Sequence, residues 1–157
     1  MTEPIPVSVA LTKLNIPHHV FTHQGQVRSI EQAAAERNQE VSQVVRSILF
    51  RLNQGEYAMV LIAGKQQISW KALRQHFGMS RLTMASPEEV FEVTGHQIGT
   101  VSPFGLKTPV PILADQNVFT QTAVSLGSGK AGVAIMMLTK DLKNALDGIV
   151  IGQFAQF

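Results

Sequence analysis

Val7, Ala10, Leu11 and Leu14 recur at helical spacing and predict an opening helix over residues 6–15, which Pro17 ends. His18 to Phe21 then reads as a short strand. Ser29 and Gln32 have the form of a capping box, and the helix they start runs through Ala33–Ala35 to about Arg37, with Asn38 as its stop. Val44–Leu52 and Glu56–Ala63 are continuous apolar runs joined by the Asn53-Gln54-Gly55 turn. They predict a hairpin of central strands buried on both faces. Ser69 to Phe77 has the spacing of an amphipathic helix with Trp70 and Leu73 turned inward. Ser86-Pro87-Glu88-Glu89 supplies an N-cap, a proline at the first helical position and a closing glutamate, for a helix that runs to Thr94 and stops at Gly95.

Periodicity disappears between Gly95 and Pro111. Irregular loops of this length in economical domains are functional or disordered, and Ile98, Val101, Phe104 and Leu106 give this one too many apolar anchors for disorder. Strands are predicted at Val110–Ala114, Thr120–Ser125 and Val133–Thr139. Thr139 is expected to cap a helix through Leu146, and Ile149–Ile151 to form a last strand. Without a linker, repeat or low-complexity stretch, residues 1–157 read as a single α+β domain.

Composition changes this picture little. Apolar residues make up 45% of the 157, which excludes disorder, and no cysteine is present, which excludes thiol catalysis and cysteine-based zinc sites. The N-terminus lacks a basic, apolar leader pattern and no run approaches a membrane span, so a cytoplasmic protein with no membrane partner is expected. A net charge of +2, from 13 Lys and Arg against 11 Asp and Glu, is too small for a general nucleic-acid binder. Any such contact must be local.

Two motifs fail on context. Gly127-Ser128-Gly129-Lys130-Ala131-Gly132 matches the dinucleotide fingerprint, yet a strand rather than a helix follows it, and no helix N-terminus is offered to a pyrophosphate. The bland alternative is a strand connection whose glycines let a substrate come close to the backbone. His18 and His19 point to opposite faces of a strand and have no carboxylate at ligand spacing, so neither a metal nor a cofactor is expected.

One long-range pattern remains: Leu14-Asn15-Ile16-Pro17 through His23, Arg46-Ser47-Ile48-Leu49 at a strand start, Gly99-Thr100-Val101-Ser102-Pro103-Phe104-Gly105 in the long loop, Asp115 after a strand, and the Gly127–Gly132 turn. In these segments the chain resembles the prolyl-tRNA synthetase-associated editing domains, or YbaK-type aminoacyl-tRNA deacylases, from about Val7 to Leu146. That resemblance implies a mixed β-sheet curled towards a barrel, with helices around it. It also implies a pocket for the aminoacylated 3′ end of a tRNA, and hydrolysis of a wrong small amino acid, as on proline tRNA. Editing of this kind is needed because one missing methylene changes binding by only ~1–3 kcal/mol. Family members rely largely on the substrate's own hydroxyl or thiol, so no catalytic triad is implied. The implied partners are a tRNA and a prolyl-tRNA synthetase, and the expected state is a monomer.

Arg46 stands where the family carries a lysine and is the catalytic candidate; it keeps the charge but not the compact ammonium. A surface role at a strand edge is its bland alternative. His23, Ser47, Thr100, Val101, Ser102, Gly127, Ser128 and Gly129 are the expected substrate contacts, with Gly99 admitting the ester to backbone N–H groups and Pro103 stiffening the loop. Asp115 is a pocket residue or a turn cap, His23 a pocket residue or a strand end, and Phe104 a stacking platform or a core anchor. An acidic residue of some relatives is replaced by Ala134. The two substitutions leave open a second reading, a module that binds a tRNA end, nucleotide or synthetase without turnover.

Overall fold

In the computed structural model, residues 4–156 are described. Ten strands, β1 (His19–Thr22), β2 (Val45–Arg51), β3 (Tyr57–Ala63), β4 (Gln67–Ile68), β5 (Thr83–Met84), β6 (Ile112–Asp115), β7 (Ala123–Gly127), β8 (Val133–Leu138), β9 (Val150–Gly152) and β10 (Ala155–Gln156), are interleaved with five α-helices. The helices are α1 (Pro6–Lys13), α2 (Ile30–Glu36), α3 (Trp70–Phe77), α4 (Pro87–Thr94) and α5 (Thr139–Ala145).

The main sheet has the order β5-β2-β3-β6-β9, antiparallel across β2/β3 and parallel across β3/β6 and β6/β9. A second, antiparallel sheet has the order β1-β8-β7, and β10 pairs with β4. A bridge between Val44 and Ser125 is the link between the two larger sheets. The expected α+β mixture is present, but the barrel-like curl is not closed: among the described residues the two larger sheets are separate ladders joined only by that bridge, and they otherwise meet through side-chain packing.

Strict alternation builds two cores on the main sheet. Val45, Leu49, Met59 and Leu61 pack on one face with α1, α4 and β7, while Phe50, Val60, Ile62 and Leu113 pack on the other with Leu73 of α3. β3 is therefore buried on both sides, as its unbroken apolar run predicts. Trp70 is a correction: it lies edge-on to Phe50 but stays 36% exposed, and Leu73 alone of the pair is turned fully inward.

Local chemistry sets most boundaries. Ser86 and Glu89 form a reciprocal capping box, and Asn38 holds the left-handed conformation that ends the α2 segment. The Ser29 box is only half made, since Gln32 accepts from Arg28 N–H instead of Ser29. Thr139 does not cap α5 either. It is the first helical residue, and its hydroxyl donates to the Gln121 carbonyl 2.5 Å away. No helix among the described residues is long and apolar enough to cross a membrane.

Candidate functional site

A cavity of ≈690 Å³ opens between the β2 start, the β7–β8 turn and the long loop. That volume lies within the roughly 300–1,000 Å³ of small-ligand sites. His23, Arg46, Ser47, Gly99, Thr100, Val101 and Gly127 all line it. Segments more than a hundred residues apart in the chain are thus brought together.

Arg46 stands half-buried on β2, paired with Ile62 of β3 on one side, while the other edge of β2 is not reached here by β5, which pairs only with Phe50 and Arg51. Its Nη2 donates to the Gln66 carbonyl, and burial lowers its pKa. Its Nε and the Ser47 hydroxyl are buried without a partner among the described residues. Such groups are rare in proteins and mark places where a ligand or water completes the set.

The long loop is a built structure. Lys107 and Thr108 N–H groups bond back to Thr94 and Val93, and the buried His96 donates from Nε2 to the Phe104 carbonyl across 3.1 Å. Gly99, at φ +87°, turns the chain at the cavity mouth in a conformation other residues rarely adopt. Gly127 and Gly129 pack against the loop backbone, with Gly129 N–H on the Thr100 carbonyl at 2.9 Å.

Six of the expected substrate contacts lie outside the cavity lining. Ser102 is fully buried and its hydroxyl accepts from Phe104 N–H; Pro103 is buried beside it, and Phe104 belongs to the core cluster. The Ser128 hydroxyl is fully buried and holds the turn through Lys130 N–H and the Val133 carbonyl, while Gly129 abuts His96. Asp115, 2% exposed, accepts from the N–H groups of Asn117, Phe154 and Ala155. Ser102, Pro103, Phe104, Ser128 and Gly129 belong to the loop and turn whose other residues line the cavity, whereas Asp115 is a cap and a strand clasp away from it. Ala134 is buried in β8 opposite Phe21 and Gly127.

Arg37 and Lys130 also line the cavity, and neither is among the residues expected there from the sequence. Arg37 ends the α2 segment, so only the tertiary fold carries it there. Its Nε donates to His23 Nε2 at 3.1 Å and its Nη1 to the Ser125 hydroxyl at 3.0 Å. His23 Nδ1 donates to Glu36 Oε1 at 2.8 Å, while its Nε2 is the acceptor for Arg37. The imidazole lone pair is occupied by an arginine, so His23 is not placed to act as a general base. The hydrogen bond from His23, with another from Gln32, holds the Glu36 carboxyl below the usual carboxylate range. Among the described lining residues three are cationic, Arg37, Arg46 and Lys130, and none is a carboxylate.

Comparison with known proteins matches residues 24–145 to the aminoacyl-tRNA editing domain. An uncharacterized Bacillus subtilis protein, YwhH, is 32% identical over 136 residues, covering 87% of this chain and 86% of that one. The proline–tRNA ligase of Thermosipho melanesiensis is 33% identical over 98 residues, which is 62% of this chain and only 17% of the ligase. The chain thus corresponds to a small part of such ligases. A crystal structure of a candidate trans-editing enzyme for prolyl tRNA synthetase superposes over 100% of both chains, with a TM-score of 0.90 at 27% identity.

Proposed function

This chain belongs to the aminoacyl-tRNA editing domain family, and on that premise we propose that it hydrolyses the ester of a mischarged small amino acid on tRNA. Proline tRNA is the proposed carrier, on the likeness to a part of proline–tRNA ligases and to the trans-editing candidate. The observation that supports this reading most is the cavity itself, with a cationic lining, no lining carboxylate and two unpartnered polar atoms at the β2 start. An aminoacylated nucleotide end carries a permanent phosphate charge, many acceptor oxygens and a neutral ester. It complements such a wall.

In the proposed reaction water adds to the ester carbonyl, the carbonyl–ribose oxygen bond breaks, and the ribose hydroxyl and free amino acid leave. The Thr100 N–H is occupied by the Gln97 carbonyl. The neighbouring N–H groups of Gly99 and Val101 are left to hold the carbonyl oxygen as charge develops on it. Arg46 adds positive charge beside the same path, while His23, committed to Arg37 and Glu36, contributes no base. Proton transfer then falls to water or to the substrate's own groups.

One observation favours the alternative of binding without turnover: the Arg46 guanidinium is already engaged by Gln66. Deacylation of proline tRNA charged with alanine, cysteine or proline separates the two. Hydrolysis of a mischarged species above background supports the enzyme. Salt-sensitive tRNA binding with no hydrolysis on any of the three supports the binding module.

A further inference from the structure

We propose that Arg37 is the positioning residue that holds the phosphate of the terminal nucleotide in the cavity. The inference rests on the nucleotide-end reading above, and it deepens that reading by assigning the anionic subsite to a side chain outside the sequence pattern.

Arg37 is half-buried, and desolvation pushes its pKa down although Glu36 acts the other way. Its two protein contacts are both neutral acceptors, the imidazole of His23 and the hydroxyl of Ser125. The nearby carboxylate of Glu36 bonds to His23 and not to the guanidinium. No carboxylate among the described residues pairs directly with it. A desolvated guanidinium without a paired anion is costly unless an anion arrives from outside.

Those contacts also determine geometry. They take Nε–H and one N–H of Nη1, which clamps the plane of the fork and leaves its remaining N–H groups for the cavity that Arg37 lines. Glu36 orients His23 and His23 orients Arg37. The relay has the connectivity of a carboxylate–histidine pair used in catalysis, but its terminus is a cation instead of a nucleophile. A clamped fork suits bidentate contact with a phosphate, whose charge is permanent. A transient oxyanion would leave the guanidinium uncompensated in every other state. The other two cations are less suited: Arg46 is held by Gln66, and Lys130 sits on a turn at the end of a flexible stem.

The test compares 5′-AMP with adenosine by calorimetric titration of the natural protein, Arg37→Lys and Arg37→Met. The natural protein should prefer 5′-AMP by about tenfold, both variants should lose that preference, and adenosine affinity should change less than about threefold. Equal binding of the two ligands by the natural protein, no binding of 5′-AMP, or a preference that survives Arg37→Met would overturn the proposal. Should the variants not fold, the Arg37 Nε–H resonance of the natural protein decides. It should move on titration with 5′-AMP and not with adenosine, and equal movement would overturn the assignment. In deacylation, Arg37→Met should raise KM about tenfold with kcat nearly unchanged, and a fall in kcat at constant KM would count against it. Nucleotide preference that depends on Arg37 without hydrolysis of any aminoacyl-tRNA keeps this inference and removes the hydrolase. Hydrolysis without the preference does the reverse.

Discussion

The carbonyl oxygen of Thr100 lies 2.6 Å from the point that a β-carbon on Gly127 would occupy, and that of Val101 is closer still. The end of β7 and the long loop therefore meet backbone to backbone. Gly127→Ala must part them and should destabilise the protein by ~1–3 kcal/mol in urea unfolding. Gly99→Ala meets no atom within 4 Å and carries only its φ of +87°, so ~1–2 kcal/mol is expected there. An unchanged urea midpoint for Gly127→Ala would show that the two segments separate freely.

Arg46→Ala should lower kcat/KM for a mischarged proline tRNA by about tenfold or more. Arg46→Lys should keep the charge while losing the fork that reaches Gln66. If only Arg46→Lys hydrolyses, the natural chain is a binder on a competent scaffold. If Arg46→Ala matches the natural protein, Arg46 has no part in the chemistry.

Asp115→Ala leaves three backbone N–H groups without their carboxylate in a buried place. A loss of about 3 kcal/mol is expected, read as a lower urea midpoint, with deacylation per folded molecule unaltered. A selective loss of activity at unchanged stability would return Asp115 to the pocket.

Glu89 closes the α4 cap and also accepts from the Tyr57 hydroxyl at 2.7 Å. The Ser86 N–H, then Tyr57, hold its carboxyl at about 2, against an ordinary 4.5, and Glu89 raises the Tyr57 pKa in return. A depressed carboxyl stabilises the fold above its unfolded value and loses that contribution as pH falls. Glu89→Gln should thus melt below the natural protein at pH 7, and the gap should close between pH 4.5 and about 2. The Tyr57 phenol should also ionise at lower pH in the variant, as ultraviolet titration would show.

Elements defined by local chemistry were legible in the sequence. The Ser86 box, the Asn38 stop and the two-sided burial of β3 each depend on a few neighbouring residues. Trp70 was misjudged because helical spacing gives the inward face but not how far that face is covered. Gly99, Arg46 and His23, all three of which line the cavity, were singled out through a family pattern. Arg37 could not be, since only the approach of the α2 end to Ser125 in β7, 88 positions along the chain, gives it a role. Phe104 and Asp115 were ambiguous for the same reason, because a core anchor and a pocket wall have the same local sequence.

The pairing of β1 with β8 joins His19 to Met136, and the His23 N–H closes on the Gly132 carbonyl at 2.8 Å. Adjoining parts of the cavity lining thus come from the first fifth of the chain and from the last fifth. On a ribosome, where residues emerge in order, the site cannot exist until the β7–β8 turn has emerged. Contacts of such separation also close late in refolding, because their loop entropy is lost before they are rewarded. A nascent or half-folded chain in which β1 and β8 have not met therefore has no such pocket.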